Sequence, residues 1–271
     1  MKVIVITGAS DGIGAEAARQ WAALGKGDTA LVLAARSADK LEAVAAQCRS
    51  RAATVLVQRC DVSVQADCVA LKAAAVRAFG GIDTLVNNAG MSAHARFDEV
   101  SDRGWFEALM RINLWGNVWC THAALPHLKA RRGRIVAVAS LAGLVGVPGR
   151  TAYSATKFAM VGFFEALRTE LCDADTGQAG VSVTIAYPGV VATETRRRGF
   201  GADGQPAGQS GLDEAGAMSV ETCARLIVEG AKHRQRDVVM GAKGKLGRWL
   251  KLLAPGRVDT LAMKALSQGG H

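Results

Sequence analysis

The sequence predicts an α/β protein: a doubly wound parallel sheet of about seven strands with helices on both faces. Three observations carry this. Short apolar runs alternate with longer helical patterns along most of the chain. The short runs are nearly continuous in Val, Ile and Leu, as strands buried on both faces must be. No unit of roughly 20–50 residues recurs, which excludes a solenoid. The chain's 271 residues suit one such unit, and a hydrophobic content of 49% provides a large core.

The predicted strands are Val3–Thr7, Ala30–Ala35, Thr54–Arg59, Thr84–Asn87, Arg134–Ser140, Val181–Tyr187 and Asp237–Met240. The helical stretches are Gly12–Leu24, Ala38–Arg51, Gln65–Phe79, Asp102–Lys129, Ala152–Cys172 and Val220–His233, with Ser37, Ser63, Ser101 and Ser219 at expected N-caps. Arg196–Ala217 breaks the alternation with six glycines and Pro206. It follows the sixth strand, where loops of an open α/β sheet border the ligand crevice. The segment of about 193–218 is therefore expected to be a mobile substrate lid, the alternative being a plain surface insertion. Residues 1–242 read as the sheet domain and 243–271 as a separate basic extension.

Composition narrows the function. Cys48, Cys60, Cys68, Cys120, Cys172 and Cys223 form no C-x-x-C pair and no zinc-spaced cluster with His. Reduced thiols, a cytoplasmic protein and no metal site are expected. The N-terminal apolar run is too short for a secretory signal, and no run of about 18 apolar residues suggests a spanning helix. The net charge is +9, and most of the excess lies between Lys232 and Lys264, where nine basic residues face only Asp237 and Asp259. Arg196-Arg197-Arg198 adds to the basic balance, but nothing matches a nucleic-acid module, so no nucleic-acid partner is expected.

The first strand runs into Thr7-Gly8-Ala9-Ser10-Asp11-Gly12-Ile13-Gly14, and a helix follows. Glycines in a strand-to-helix turn let the backbone approach a pyrophosphate, and the helix N-terminus offers free N–H groups and a positive dipole end. The same turn without a ligand is the alternative. A Rossmann-type dinucleotide site is the expectation. The second strand ends at Ala35-Arg36-Ser37. An acid there would bind a ribose 2′-hydroxyl, whereas Arg36 suits a 2′-phosphate, so NADP(H) is favoured over NAD(H). Asp11 counts against this, because an acid in the glycine turn repels that phosphate.

The fifth strand ends in Ser140; Tyr153 follows thirteen residues later and Lys157 four after that. At i,i+4 on a helix the two side chains share a face. An ammonium beside a phenol favours the phenolate, and a phenol so tuned exchanges a proton with a substrate oxygen, which Ser140 is placed to hydrogen-bond. An ordinary helix-surface contact is the alternative.

Taken in order, the glycine turn, Cys60-Asp61-Val62, Asn87-Asn88-Ala89-Gly90, Asn113, Ser140, Tyr153-Ser154-Ala155-Thr156-Lys157 and Pro188-Gly189-Val190-Val191-Ala192-Thr193 resemble the short-chain dehydrogenase/reductase family over residues 2–240. The resemblance implies an oxidoreductase that moves a hydride between a nicotinamide cofactor and a carbonyl/alcohol pair on a small molecule. It implies Tyr153 as general acid/base, Lys157 as the residue that lowers its pKa and holds the nicotinamide ribose, and Ser140 as the group that orients the substrate oxygen. Asn113 would hold a relay water to Lys157. Asp61 and Val62 would contact the adenine, Asn88 would lie beside the cofactor, and Val191 and Thr193 would hold the carboxamide. It also implies a homo-oligomer, dimer or tetramer, formed through the helices Asp102–Lys129 and Ala152–Cys172, with Trp115 and Trp119 as contact or core residues.

The extension has Trp249, Leu250, Leu252 and Leu253 interleaved with Lys and Arg and a break at Pro255, the pattern of a basic amphipathic helix. It fits an anionic membrane surface, and equally a partner subunit or the substrate mouth. This tail resembles that of the membrane-associated hydroxysteroid-dehydrogenase-like branch, which implies a lipophilic substrate. Two other readings stand beside a soluble reductase: a lipid-ketone reductase at a membrane surface, and an NADP-binding regulatory protein without turnover. The complete Asn113, Ser140, Tyr153 and Lys157 set argues against the last.

Overall fold

A computed structural model of the protein describes residues 1–172, 180–208 and 216–269. Seven strands form one sheet: β1 (Lys2–Thr7), β2 (Thr29–Ala35), β3 (Thr54–Arg59), β4 (Thr84–Asn87), β5 (Arg134–Val138), β6 (Ser182–Tyr187) and β7 (Asp237–Val239). Their order is β3-β2-β1-β4-β5-β6-β7, and every pairing is parallel. The predicted doubly wound sheet is therefore the observed one, with strand ends differing by a residue or two.

β1 shows why the strands are apolar throughout. Val3 and Val5 face one core, with Leu71 and Cys68 of α3 (Gln65–Phe79), Leu128 of α5 (Gly116–Ala130) and Phe164 of α6 (Thr151–Glu170). Ile4 and Ile6 point the other way, into a core with Ala15 and Ala18 of α1 (Gly12–Gly25), Leu41 of α2 (Ala38–Arg49) and Ile227 of α7 (Val220–Lys232). Period-two alternation sends successive side chains to opposite faces, and both faces are covered by helices.

Two of the four expected serine caps sit elsewhere. Ser219 caps α7 by accepting from the Thr222 N–H at 3.2 Å. Ser37 occupies the N-cap of α2 with extended backbone but makes no side-chain cap bond. Ser63 is not a cap: Val64 holds that position, and the Ser63 N–H and hydroxyl both donate to Asp61 Oδ1, at 2.9 and 2.7 Å. Nor is Ser101, because α4 (Gly104–Met110) starts later, with Asp102 Oδ1 accepting from the Gly104 N–H at 2.8 Å. Ser63 is turned back as a donor to Asp61, and beside Ser101 it is Asp102, a stronger acceptor than a hydroxyl, that takes the bond at the start of α4.

The single helix expected over Asp102–Lys129 is α4 and α5 joined through a π turn at Arg111–Trp115. Trp115 and Trp119 stack with centroids 6.0 Å apart, and Trp115 is half exposed. The extension is two helices, α8 (Ala242–Leu253) and α9 (Pro255–Gly269), so the expected break falls at Pro255, which opens the second helix where a missing N–H costs nothing. All six cysteines are free, and only Cys172 is exposed.

In the described part of the expected lid, 193–208 and 216–218, Phe200 is tied to the loop after β4. The Phe200 N–H donates to Ser92 O (3.0 Å), Phe200 O accepts from the His94 N–H (2.8 Å), and the Phe200 ring lies 5.6 Å from that of Trp105. Residues 209–215 of that expected lid lie outside the described residues.

Candidate active site

The sheet order reverses direction between β1 and β4, and there the C-terminal ends of the strands diverge to open a crevice. A cleft of about 650 Å³ occupies it, lined from Gly8 on β1's turn to Arg198 beyond β6. Among the residues singled out by sequence, Gly8, Ser10, Gly12, Ile13, Arg36, Asp61, Val62, Asn88, Ser140, Tyr153, Lys157, Val191 and Thr193 line this one cleft. Gly14 and Asn113 do not; they stand just behind its wall.

The glycine turn is dictated by contact. Gly8 has φ +65°, and a Cβ there would lie 2.8 Å from Ala89 Cα; one on Gly14 would lie 2.3 Å from Gly8 O. No side chain fits at either place, so α1 meets the strand end closely and its N-terminus opens into the cleft. Asn88, expected beside a cofactor, braces this turn: its Nδ2 donates to Thr7 O (3.0 Å) and Gly8 O (3.1 Å). Asp11 caps α1, with Oδ1 accepting from the Gly12 N–H at 2.7 Å, while Oδ2 is ion-paired with Arg198. Partial burial works against the Asp11 carboxylate, but the hydrogen bonds from Arg198 and Gly12 outweigh it and hold its pKa below the ordinary value. Arg36 stands exposed at the end of β2 with no ion pair among the described residues, and Lys40 lines the same end of the cleft.

The opposite half holds Tyr153 and Lys157 on the first turns of α6, and Ser140 after β5. Lys157 is buried, and its ammonium donates to Val138 O at 3.1 Å, 5.8 Å from the centroid of the Tyr153 ring. Burial pushes its pKa down, and Tyr153 opposes that. Ser140 caps the short helical turn after it, its Oγ accepting from the Ala142 N–H at 3.2 Å. Asn113, fully buried in the π turn, bonds both backbone groups of Met91 and donates to Thr156 Oγ1. A Cβ on Gly90 would come 3.2 Å from Asn113 Oδ1 and 3.7 Å from Lys157 Nζ, so the two approach one point across that glycine.

The family model described as short chain dehydrogenase matches residues 2–201. The chain belongs to the short-chain dehydrogenase/reductase family. Its relatives place it in the hydroxysteroid-dehydrogenase-like branch. It is 37% identical over 255 residues to an 11-beta-hydroxysteroid dehydrogenase-like 4A of Arabidopsis thaliana, covering 94% of this chain and 81% of that one. It is 39% identical over 244 residues to an 11-beta-hydroxysteroid dehydrogenase of Pinus massoniana, covering 88% and 66%. Among solved structures it resembles a short chain dehydrogenase/reductase of Burkholderia phymatum in complex with NAD (TM-score 0.79, 28% identity, 93% and 94% covered). It also resembles an alcohol dehydrogenase of Thermococcus sibiricus complexed with 5-hydroxy-NADP (TM-score 0.73, 28% identity, 88% and 94% covered). As a member of this family the chain is an oxidoreductase acting on hydroxyl and carbonyl groups.

Four basic residues of this dehydrogenase cleft were not predicted as site residues from sequence. Lys40, Arg150, Arg196 and Arg198 all line it. Arg196 donates to Val191 O at 2.9 Å and so ties the start of the expected lid to the segment after β6. Each lies within five residues of a position the sequence singles out: Lys40 four after Arg36, Arg150 three before Tyr153, and Arg196 and Arg198 three and five after Thr193. The extension also reaches the site: Gly244 packs so tightly on Leu141, beside Ser140, that a Cβ would be 2.6 Å away, and Lys251 Nζ donates to Leu144 O at 2.8 Å. Among the described residues, His, Cys, Asp and Glu form no group able to hold a metal ion.

Proposed function

We propose that this chain is an NADP(H)-dependent reductase of a ketone/alcohol pair in which Tyr153 carries the proton. The observation that supports it most is the placing of Tyr153 and Lys157 on one wall of a cleft whose far end presents Arg36 and Lys40. A nicotinamide dinucleotide fits the residues present: a side-chain-free turn and a helix N-terminus for the pyrophosphate, Asp61 and Val62 for the adenine end, and Val191 and Thr193 for the carboxamide. When bound, the cofactor supplies or accepts the hydride. The chain's own part is position and proton. Ser140 hydrogen-bonds the substrate oxygen, the Tyr153 hydroxyl gives that oxygen its proton in the reducing direction, and the Lys157 ammonium stabilises the phenolate left behind. Asn113 holds the Met91 backbone that closes this corner, and a relay water at Asn113 would connect Lys157 with solvent.

The NADP preference rests on charge. Arg36 stands without an ion pair among the described residues where a 2′-phosphate would lie, and Arg198 neutralises Asp11, the acid of the glycine turn that would oppose that phosphate. Fluorescence titration with NADPH and NADH tests this. NADPH tighter by about tenfold, or about 1.4 kcal/mol, is expected; equal or tighter NADH overturns it.

A second reading concerns where the substrate comes from. Leu246, Trp249, Leu252 and Leu253 on α8, whose Lys251 reaches Leu144 near the cleft, and Leu261 and Met263 on α9 are all more than half exposed, among Lys and Arg. Such a surface suits lipid headgroups over acyl chains, and a lipophilic ketone would enter from there. No helix among the described residues is long and apolar enough to cross a membrane. Co-flotation with anionic but not neutral liposomes is expected; failure to float with either refutes it.

A further inference from the structure

Tyr153 is flanked by two buried cations, of which the mechanism above uses one. The second is Arg150, at the N-cap of α6. It is 7% exposed, its Cζ lies 5.1 Å from the centroid of the Tyr153 ring, and its Nη2 donates to Ser92 Oγ at 3.0 Å. Its Nε is buried without a hydrogen-bond partner, and no carboxylate pairs with it among the described residues. A guanidinium buried this far normally has an anion beside it, because desolvating a lone charge is costly. We infer that Arg150 is a positioning residue whose missing counter-anion is the Tyr153 phenolate, the charge that appears when Tyr153 gives up its proton.

The surroundings support this. The charged and titratable groups facing the pair are Lys157 from α6, Arg196 from the loop after β6 and His94 from the loop after β4. Burial, reinforced by Arg150, holds His94 below its ordinary pKa, with Glu99 opposing, so His94 is neutral wherever a phenol titrates. Burial and Arg196 both disfavour the charged form of Arg150, and Tyr153 is the one group that favours it. The arginine is therefore least comfortable when Tyr153 is protonated and best satisfied when it is not. The same side chain also fixes the ring: Arg150 and Ser92 join α6 to the loop after β4, where the Ala95 N–H donates to Gly149 O at 2.9 Å. Arg150 thus pre-organises the site for the ionised state instead of for the resting one.

This rests on Tyr153 being the proton carrier, but its test needs no turnover, so the two readings fail separately. The chain has only two tyrosines, and burial pushes the hydroxyl of the other, Tyr187, up. Ultraviolet titration of phenolate absorbance in the whole protein therefore reports Tyr153 apart from Tyr187. In Arg150→Met the Tyr153 midpoint should rise by about one pH unit, a tenfold loss of acidity worth about 1.4 kcal/mol. Arg150→Lys should restore at least half of the shift. Ser92→Ala, which removes the hydrogen bond and leaves the charge, should move the midpoint by less than a third as much. An unmoved midpoint in Arg150→Met overturns the proposal, and so does a Ser92→Ala shift as large as that of Arg150→Met, which would mark a purely structural brace. Should Arg150→Met not fold, the unmutated chain decides: the nitrogen NMR resonances of the Arg150 guanidinium must titrate with the Tyr153 midpoint, and a flat response refutes the idea.

Discussion

On the β1–β4 side of the cleft, positions are set by backbone. Gly8 and Gly14 have no room for a Cβ, Asn88 is bonded to the carbonyls of Thr7 and Gly8, and the wall follows from how closely α1 approaches β1. On the β6 side, positions are set by arginines. Arg196 holds Val191, Arg198 holds Asp11 across the cleft, and Arg150 holds Ser92 while lying against Tyr153. A backbone-built wall tolerates no substitution at its contact points, and those contact points themselves carry no charge. A side-chain-built wall tolerates change and is tuned by charge. The first side therefore suits the pyrophosphate, which does not vary between the two cofactors, and the second suits the part where proton transfer is decided.

The largest expected effect tests the second side at its reacting atom. Tyr153→Phe removes one oxygen and nothing else, so turnover should fall by about a thousandfold, near 4 kcal/mol, with NADPH affinity within a factor of about two. Activity within tenfold of the parent enzyme would exclude Tyr153 as the proton carrier. The first side is tested by Gly14→Ala. Its Cβ would meet Gly8 O, a backbone atom that cannot swing away, and about 3 kcal/mol of stability should be lost, with a correspondingly lower Tm. An unchanged Tm would mean that the glycine turn is looser than its contacts indicate. Arg36→Ala is milder: NADPH should weaken about tenfold and NADH should not. Equal losses for both would show that Arg36 does not face the phosphate.

What the sequence makes legible is local. The strand pattern of β1 to β7 lies in short periodic runs, the turn in glycine spacing, and the Tyr153–Lys157 pair in one helical turn. Even the break at Pro255 follows from proline geometry. What stays hidden is set by contacts between distant residues. Arg198 and Asp11 are 187 positions apart, and Arg150 and Ser92 are 58 apart. In a linear reading Arg196-Arg197-Arg198 is a cluster of like charge; in the fold, Arg196 and Arg198 serve different partners on different elements. The caps at Ser63 and Ser101 fail for a related reason: position alone does not say that Ser63 donates to Asp61 or that Asp102 accepts in place of Ser101.

The Arg198–Asp11 pair gives the smallest effect and the sharpest separation of the two walls, since among the described residues it is the one ion pair that joins them around the glycine turn. Arg198→Ala should leave Asp11 as an unopposed anion near the 2′ position, weakening NADP⁺ about three- to fivefold and NAD⁺ hardly at all. The sign with pH follows from the Asp11 shift. Its folded pKa is depressed, so the ion pair is fully present above the ordinary carboxylate range and is lost as pH falls through the depressed value. Without Arg198, the largest hydrogen bond holding it down is gone, while burial still pushes upward, so Asp11 takes up its proton at higher pH than in the parent. The NADP⁺ deficit of the variant, measured against the parent at the same pH so that titration of the phosphate itself cancels, should therefore shrink between about pH 7 and about pH 4.5. A deficit that stays constant over that range would mean that Arg198 contacts the phosphate directly and that its partnership with Asp11 is incidental to cofactor choice.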